Sequence, residues 1–110
     1  MPEHEIDVVV RELVEIADPT RIILRENDPK EMDCDSHEVE ICVVVSDDAD
    51  KEDLSGKCYN AVWDCLFNGK IGRHDIATYV QSESSFHKAV GKMNSIASMF
   101  AGSGKTVYEK

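Results

Sequence analysis

Apolar residues recur along this chain with two periods, and the switches between them predict most of its secondary structure. Ile6, Val9, Val10, Leu13, Ile16 and Ala17 fall at helical spacing. Glu3, Glu5 and Asp7 lie near the start of that stretch, where carboxylates complement the positive end of a helix dipole. Residues 4–17 therefore read as an amphipathic helix. Asp18-Pro19-Thr20 ends it, because proline cannot continue a helix and biases its predecessor away from helical angles. Arg21-Ile22-Ile23-Leu24-Arg25 is a short apolar run between charges, as in a buried strand. Glu26 to Ser36, containing Asn27-Asp28-Pro29, reads as a polar turn.

The longest β-branched run comes next, in Glu38-Val39-Glu40-Ile41-Cys42-Val43-Val44-Val45. Successive strand side chains point to opposite faces, so Val39, Ile41, Val43 and Val45 share one apolar face. Glu38, Glu40, Cys42 and Val44 are expected on the other. Charged residues 46–52 then offer N-cap side chains for a second helix. Its stripe is Leu54, Cys58, Ala61, Val62, Cys65 and Leu66, flanked by Trp63 and Phe67 and closed by Asn68-Gly69. His74 to Val80 alternates as a third strand, with Asp75, Ala77 and Tyr79 on one face. Ser82-Glu83-Ser84-Ser85 opens a short helix carrying Phe86, Ala89 and Val90. Met93, Ile96, Ala97, Phe100 and Ala101 mark another helix before Gly102-Ser103-Gly104, and Lys105 to Glu109 reads as a short strand or tail. The order predicts an α/β (α+β) fold, a small mixed sheet with helices packed on it.

Composition narrows the function more than the fold. A chain of 110 residues suits one domain with one core, and 42% hydrophobic with 31% charged residues suits an ordinary globular protein. No window approaches the ~18 to 20 apolar residues of a membrane helix. Met1-Pro2-Glu3-His4-Glu5 is acidic where a secretory signal is basic, so a cytoplasmic location is expected. A formal net charge of -10 disfavours naked nucleic acid, whose phosphates are bound by Lys and Arg. A basic protein partner or a metal-bound small anion suits that charge better. Cys34, Cys42, Cys58 and Cys65 form no CxxC pair and have no histidines in zinc-finger register. They are expected to be reduced and, on the strand and the helical stripe, to behave as small hydrophobes.

Two motifs invite chemistry. Gly102-Ser103-Gly104-Lys105-Thr106 looks like the end of a phosphate loop, but Met99 stands where that pattern needs its first glycine. A glycine-capped helix end followed by a terminal strand accounts for the same letters. Glu38 and Glu40 on one strand, with Asp75 at the start of another, are the stronger candidates. Three converging carboxylates can hold one or two magnesium ions, which prefer oxygen ligands. With 22 Asp and Glu residues in the chain, the same spacing also fits acidic strand ends that merely meet solvent. His37 beside the pair could orient a ligand or act as a base, or be an exposed loop residue. His74 is expected to point away from Asp75.

Taken in order, Arg21 to Arg25, Asp35 to Val44, His74-Asp75-Ile76 and Gly104-Lys105-Thr106-Val107-Tyr108-Glu109 give the chain a recognisable layout. It resembles a minimal nucleotidyltransferase domain of the DNA polymerase beta-like superfamily. That family shows an apolar strand ending in Gly-Ser, a loop, Ser-Asp-x-Asp-Leu opening a second strand, a later third carboxylate and a closing Gly-Lys-Val-Leu-Tyr-Glu. The resemblance spans nearly the whole chain, through order and spacing more than identity. It implies a nucleotidyltransferase-like fold, with magnesium held by Glu38 and Glu40 in place of two aspartates and by Asp75 as the third carboxylate. The implied reaction moves a nucleoside monophosphate from a nucleoside triphosphate to a hydroxyl.

The departures from the pattern qualify that reaction. Arg25-Glu26 replaces the phosphate-receiving Gly-Ser, and the loop from Asn27 to Ser36 lacks the usual glycine. Each Asp-to-Glu change lengthens a ligand arm by about 1.5 Å, whereas catalytic geometry tolerates roughly 0.5 Å. The resemblance thus implies a transferase whose activity is weak or lost. The alternative is a non-catalytic interaction module, an antitoxin-like partner of a helical HEPN-type protein.

Overall fold

The chain runs α1 (Glu3–Ala17), β1 (Arg21–Glu26), β2 (Val39–Val45), α2 (Lys51–Phe67), β3 (Ile76–Ser82), α3 (Glu83–Ala89), α4 (Ile96–Ser103) and β4 (Lys105–Glu109), the order its periodicities predict. The structure, a computed structural model, describes residues 1–32 and 36–110. Asp33, Cys34 and Asp35 lie outside the described residues, and with them the reading of Cys34 as a reduced thiol. The four strands form one mixed sheet in the order β3-β2-β1-β4. β1 pairs antiparallel with β2 and with β4, while β2 and β3 are parallel. A parallel pair needs a long crossover, and α2 supplies it.

Helices cover both faces of the sheet. Val39, Ile41, Val43 and Val45 pack with Ile22 and Leu24 against Val9 and Leu13 of α1 and Cys58, Val62 and Cys65 of α2. Across the sheet, Ile23, Cys42 and Val44 meet Phe86 of α3 and Ala97 and Phe100 of α4. Tyr79 of β3 stands edge-on to Phe100, with ring centroids 6.0 Å apart. The face expected to be acidic is therefore acidic only at Glu40, and beyond it is a second core. Burial on both sides explains why β2 is rich in β-branched residues on both of its faces, since each fully buried Val, Leu or Ile contributes about 1.5 to 3 kcal/mol.

Two boundaries differ from the sequence reading in ways that shape the site. β3 begins at Ile76, so His74 and Asp75 belong to the entering loop, whose Asp75 carbonyl accepts from the Val39 N–H at 3.0 Å. Met93 lies ahead of α4 and is 90% exposed, because Ser95 caps the helix by accepting from the Ser98 N–H. The glycine-rich letters end α4. A methyl group at Gly104 would lie 2.5 Å from Ile23 Cγ2 and 2.5 Å from the Phe100 carbonyl oxygen, so only glycine lets the helix end close against β1. No helix among the described residues is long and apolar enough to cross a membrane.

Candidate functional site

The loop entering β3 and the start of β2 bring together two separate polar clusters. In the first, Glu38 sits just ahead of β2 and accepts from the Asp75 N–H at 3.2 Å. Its other oxygen faces His74 Nδ1 at 3.2 Å, and His74 Nε2 lies 2.9 Å from Glu5 on α1. Glu5 also accepts from the Gly72 N–H and is only 8% exposed. That backbone donor, and then the hydrogen bond from His74, hold the Glu5 carboxyl below its usual range. The hydrogen bond to Glu5 pushes the His74 imidazole up, burial opposes it, and Glu38 adds to the rise.

These shifts make stability depend on pH. His74 binds its proton more tightly in the folded state, so its contribution is complete below its ordinary value of 6.5 and is lost as pH rises through the raised folded value. Glu5 contributes above its ordinary value of 4.5, and that contribution is lost as pH falls through its lowered folded value. Thermal melts across a pH series should give the largest contribution from this cluster between 4.5 and 6.5. His74→Asn should flatten the fall on the alkaline side; an unchanged profile in that variant would place the pH dependence elsewhere.

The second cluster surrounds Glu40, which is 4% exposed. Arg25 stands directly opposite it in the β1–β2 register and donates from Nη1 at 3.0 Å. Asn27 donates to the same carboxylate and also to the His37 carbonyl. Arg25 Nε reaches across to Ser103 Oγ of α4 at 2.7 Å. Glu40 is thus tied toward the α4 layer, whereas Glu38 is tied through His74 to α1. The shared face expected for Glu38 and Glu40 does not form, because Glu38 precedes the strand and escapes its alternation. Asp75 points elsewhere again, with its exposed carboxylate 3.0 Å from His37 Nδ1.

As donors, these three carboxylates do not suit magnesium. Glu40 is held by a guanidinium and an amide, Glu38 by an imidazole and a backbone N–H, and Asp75 by an imidazole. A cation would have to displace Arg25 from a buried partner. Among the described residues no group of three or more His, Cys, Asp or Glu side chains is arranged to hold a metal ion.

No family model, curated protein or solved structure matches this chain.

The sequence does not by itself place Glu5, Arg25 and Asn27 in these clusters, and His74, expected to point away from Asp75, turns to Glu5 and Glu38. Arg25 was findable, since a hairpin that places it opposite Glu40 pairs opposite charges. Cys42, Cys58 and Cys65 sit in the core as the small hydrophobes the sequence predicts. They are buried free thiols. Burial pushes Cys42 up to about 12 and Cys58 up to about 11, and it raises Cys65 as well, which leaves these thiols un-ionised and inert at neutral pH.

Proposed function

We propose that this protein is a non-catalytic interaction module on a nucleotidyltransferase-like scaffold, acting in the cytoplasm as an antitoxin-like partner of a helical HEPN-type protein. One observation carries the loss of catalysis. Glu40, at a position where the resemblance puts a metal ligand, is buried and neutralised by Arg25, the first of the Arg25-Glu26 pair that stands where the resemblance puts the phosphate-receiving Gly-Ser. The site has exchanged a cation from solution for one from its own chain. The element order and the mixed sheet support the scaffold assignment. The net charge of -10 favours a partner with a basic face, through complementarity that mainly sets association rate and specificity.

Calorimetric titration tests the first half of this reading. Magnesium with each nucleoside triphosphate should give no binding heat at millimolar ligand, and saturable binding would return the chain to the weak transferase. Co-expression with the product of the adjacent reading frame tests the second half. The expected complex weakens as salt rises, because screening removes the charge complementarity. A helical neighbour that stays unbound at low salt would remove the partner assignment.

A further inference from the structure

The two edges of the sheet are guarded unequally. β4 begins at Lys105, ends at Glu109, and pairs with β1 through a register shift between Ile22 and Ile23. Charges and irregular pairing of this kind discourage the addition of another strand. Among the described residues β3 forms the opposite edge, with only β2 beside it in the sheet. Its seven residues, Ile76 to Ser82, pair with β2 without a shift and include no charge, proline or glycine. A strand this long and this regular is a template for further pairing.

Beside that open edge, α2 presents three aromatic rings at i, i+4 and i+8. Tyr59 is 54% exposed, Trp63 40% and Phe67 78%. The rings support one another, with Tyr59 edge-on to Trp63 at 5.9 Å and Trp63 stacked on Phe67 at 5.1 Å. Tyr59 and Trp63 line a groove with Ile76 and Thr78 of β3, so stripe and strand edge form one continuous surface.

We propose that this surface is a homodimer interface, in which β3 pairs antiparallel with β3 of a second copy and the two α2 stripes meet across the two-fold axis. Antiparallel pairing of a strand with itself is two-fold symmetric, as an isologous contact requires. It places both α2 helices on the same side of the joined sheet, so each aromatic stripe faces its own copy. The area is of the right scale. At ~150 to 250 Å² per aromatic side chain, the exposed fractions of these three leave roughly 250 to 430 Å² to cover. The β3 edge, about 23 Å long at 3.3 Å per residue, supplies much of the remainder of the ~800 Å² per partner in a standard interface. Asp75 lines one end of the same groove, but neither the strand nor the three rings carries a carboxylate, so the charge that would draw a basic partner is confined to that end of the surface.

Two copies of so acidic a chain repel each other, so salt should tighten this dimer, the reverse of its effect on a complex with a basic partner. Sedimentation velocity of the full chain, from micromolar to millimolar concentration at low and high salt, should show a monomer–dimer equilibrium shifted toward dimer by salt. Tyr59→Glu with Phe67→Glu puts like charges at the dyad and should weaken the dimer at least about tenfold, with the thermal melt of the monomer unchanged. In the wild type, amide exchange along β3 should slow as concentration rises. A chain that stays monomeric throughout overturns the proposal and leaves the edge to a strand from another protein. A dimer that persists in the double variant, or forms without protecting β3, places the interface elsewhere.

Discussion

Replacing Arg25 with leucine should lower stability by about 3 kcal/mol, because the change leaves a buried carboxylate without its counter-charge. Glu40 would keep the Asn27 side-chain amide as a donor. The loss falls at the lower end for a broken buried ion pair, since the Arg25 side chain is 23% exposed and water can partly replace it. At about 5 °C per kcal/mol for a domain of this size, the melting midpoint should fall by roughly 15 °C. Replacing Glu40 with methionine as well should recover most of the loss, since a buried pair exchanged for apolar groups is often neutral. Denaturant titrations of the wild type, both single variants and the double variant form the cycle that measures it. Additive single losses would mean that the two side chains do not act as a pair. The same pair bears on function, because the guanidinium that stabilises the β1–β2 hairpin occupies Glu40 Oε1, an oxygen a metal ion would need.

Phe100→Ala should cost about 3 to 5 kcal/mol, the range for removing a fully buried aromatic ring. Phe100 is 1% exposed and is the largest of the fully buried side chains. It joins α4 to Ile23, Cys42 and Val44 of the sheet and meets the edge of Tyr79. The layer it anchors consists of two short helices, which tertiary packing must stabilise because neither is long enough to hold its own conformation. Urea titration followed by far-ultraviolet dichroism measures the loss. A cost below about 1 kcal/mol would mean that the α3–α4 layer collapses onto the space or contributes little to the fold.

The elements were legible because their signals are local. The β2 alternation, the α2 stripe and the serine cap at Ser82 each lie within one turn or one strand of the residues they organise. The site was less legible because its partners are remote. His74 is paired with Glu5, 69 residues away, and no spacing rule links the N-terminus of α1 to the loop entering β3. Glu38 was assigned to a shared face with Glu40 because strand periodicity was carried one residue beyond the strand. Trp63 and Phe67 were seen at helical spacing but taken as flanks of the core stripe. Their exposure follows from the position of α2 at the sheet margin, which the helix sequence alone does not encode.

Covering the sheet on both sides also divides its chemistry between two compartments. Cys42 of β2 lies under α3 and α4, while Cys58 and Cys65 are on the inward face of α2, in the core shared with α1 and the other face of the sheet. The two sides are closed by different pairs of helices, so a thiol reagent reaches Cys42 only when α3 and α4 lift, and Cys58 or Cys65 only when α2 parts from α1 and the sheet. The protein thus carries a separate native reporter of opening on each side of its sheet.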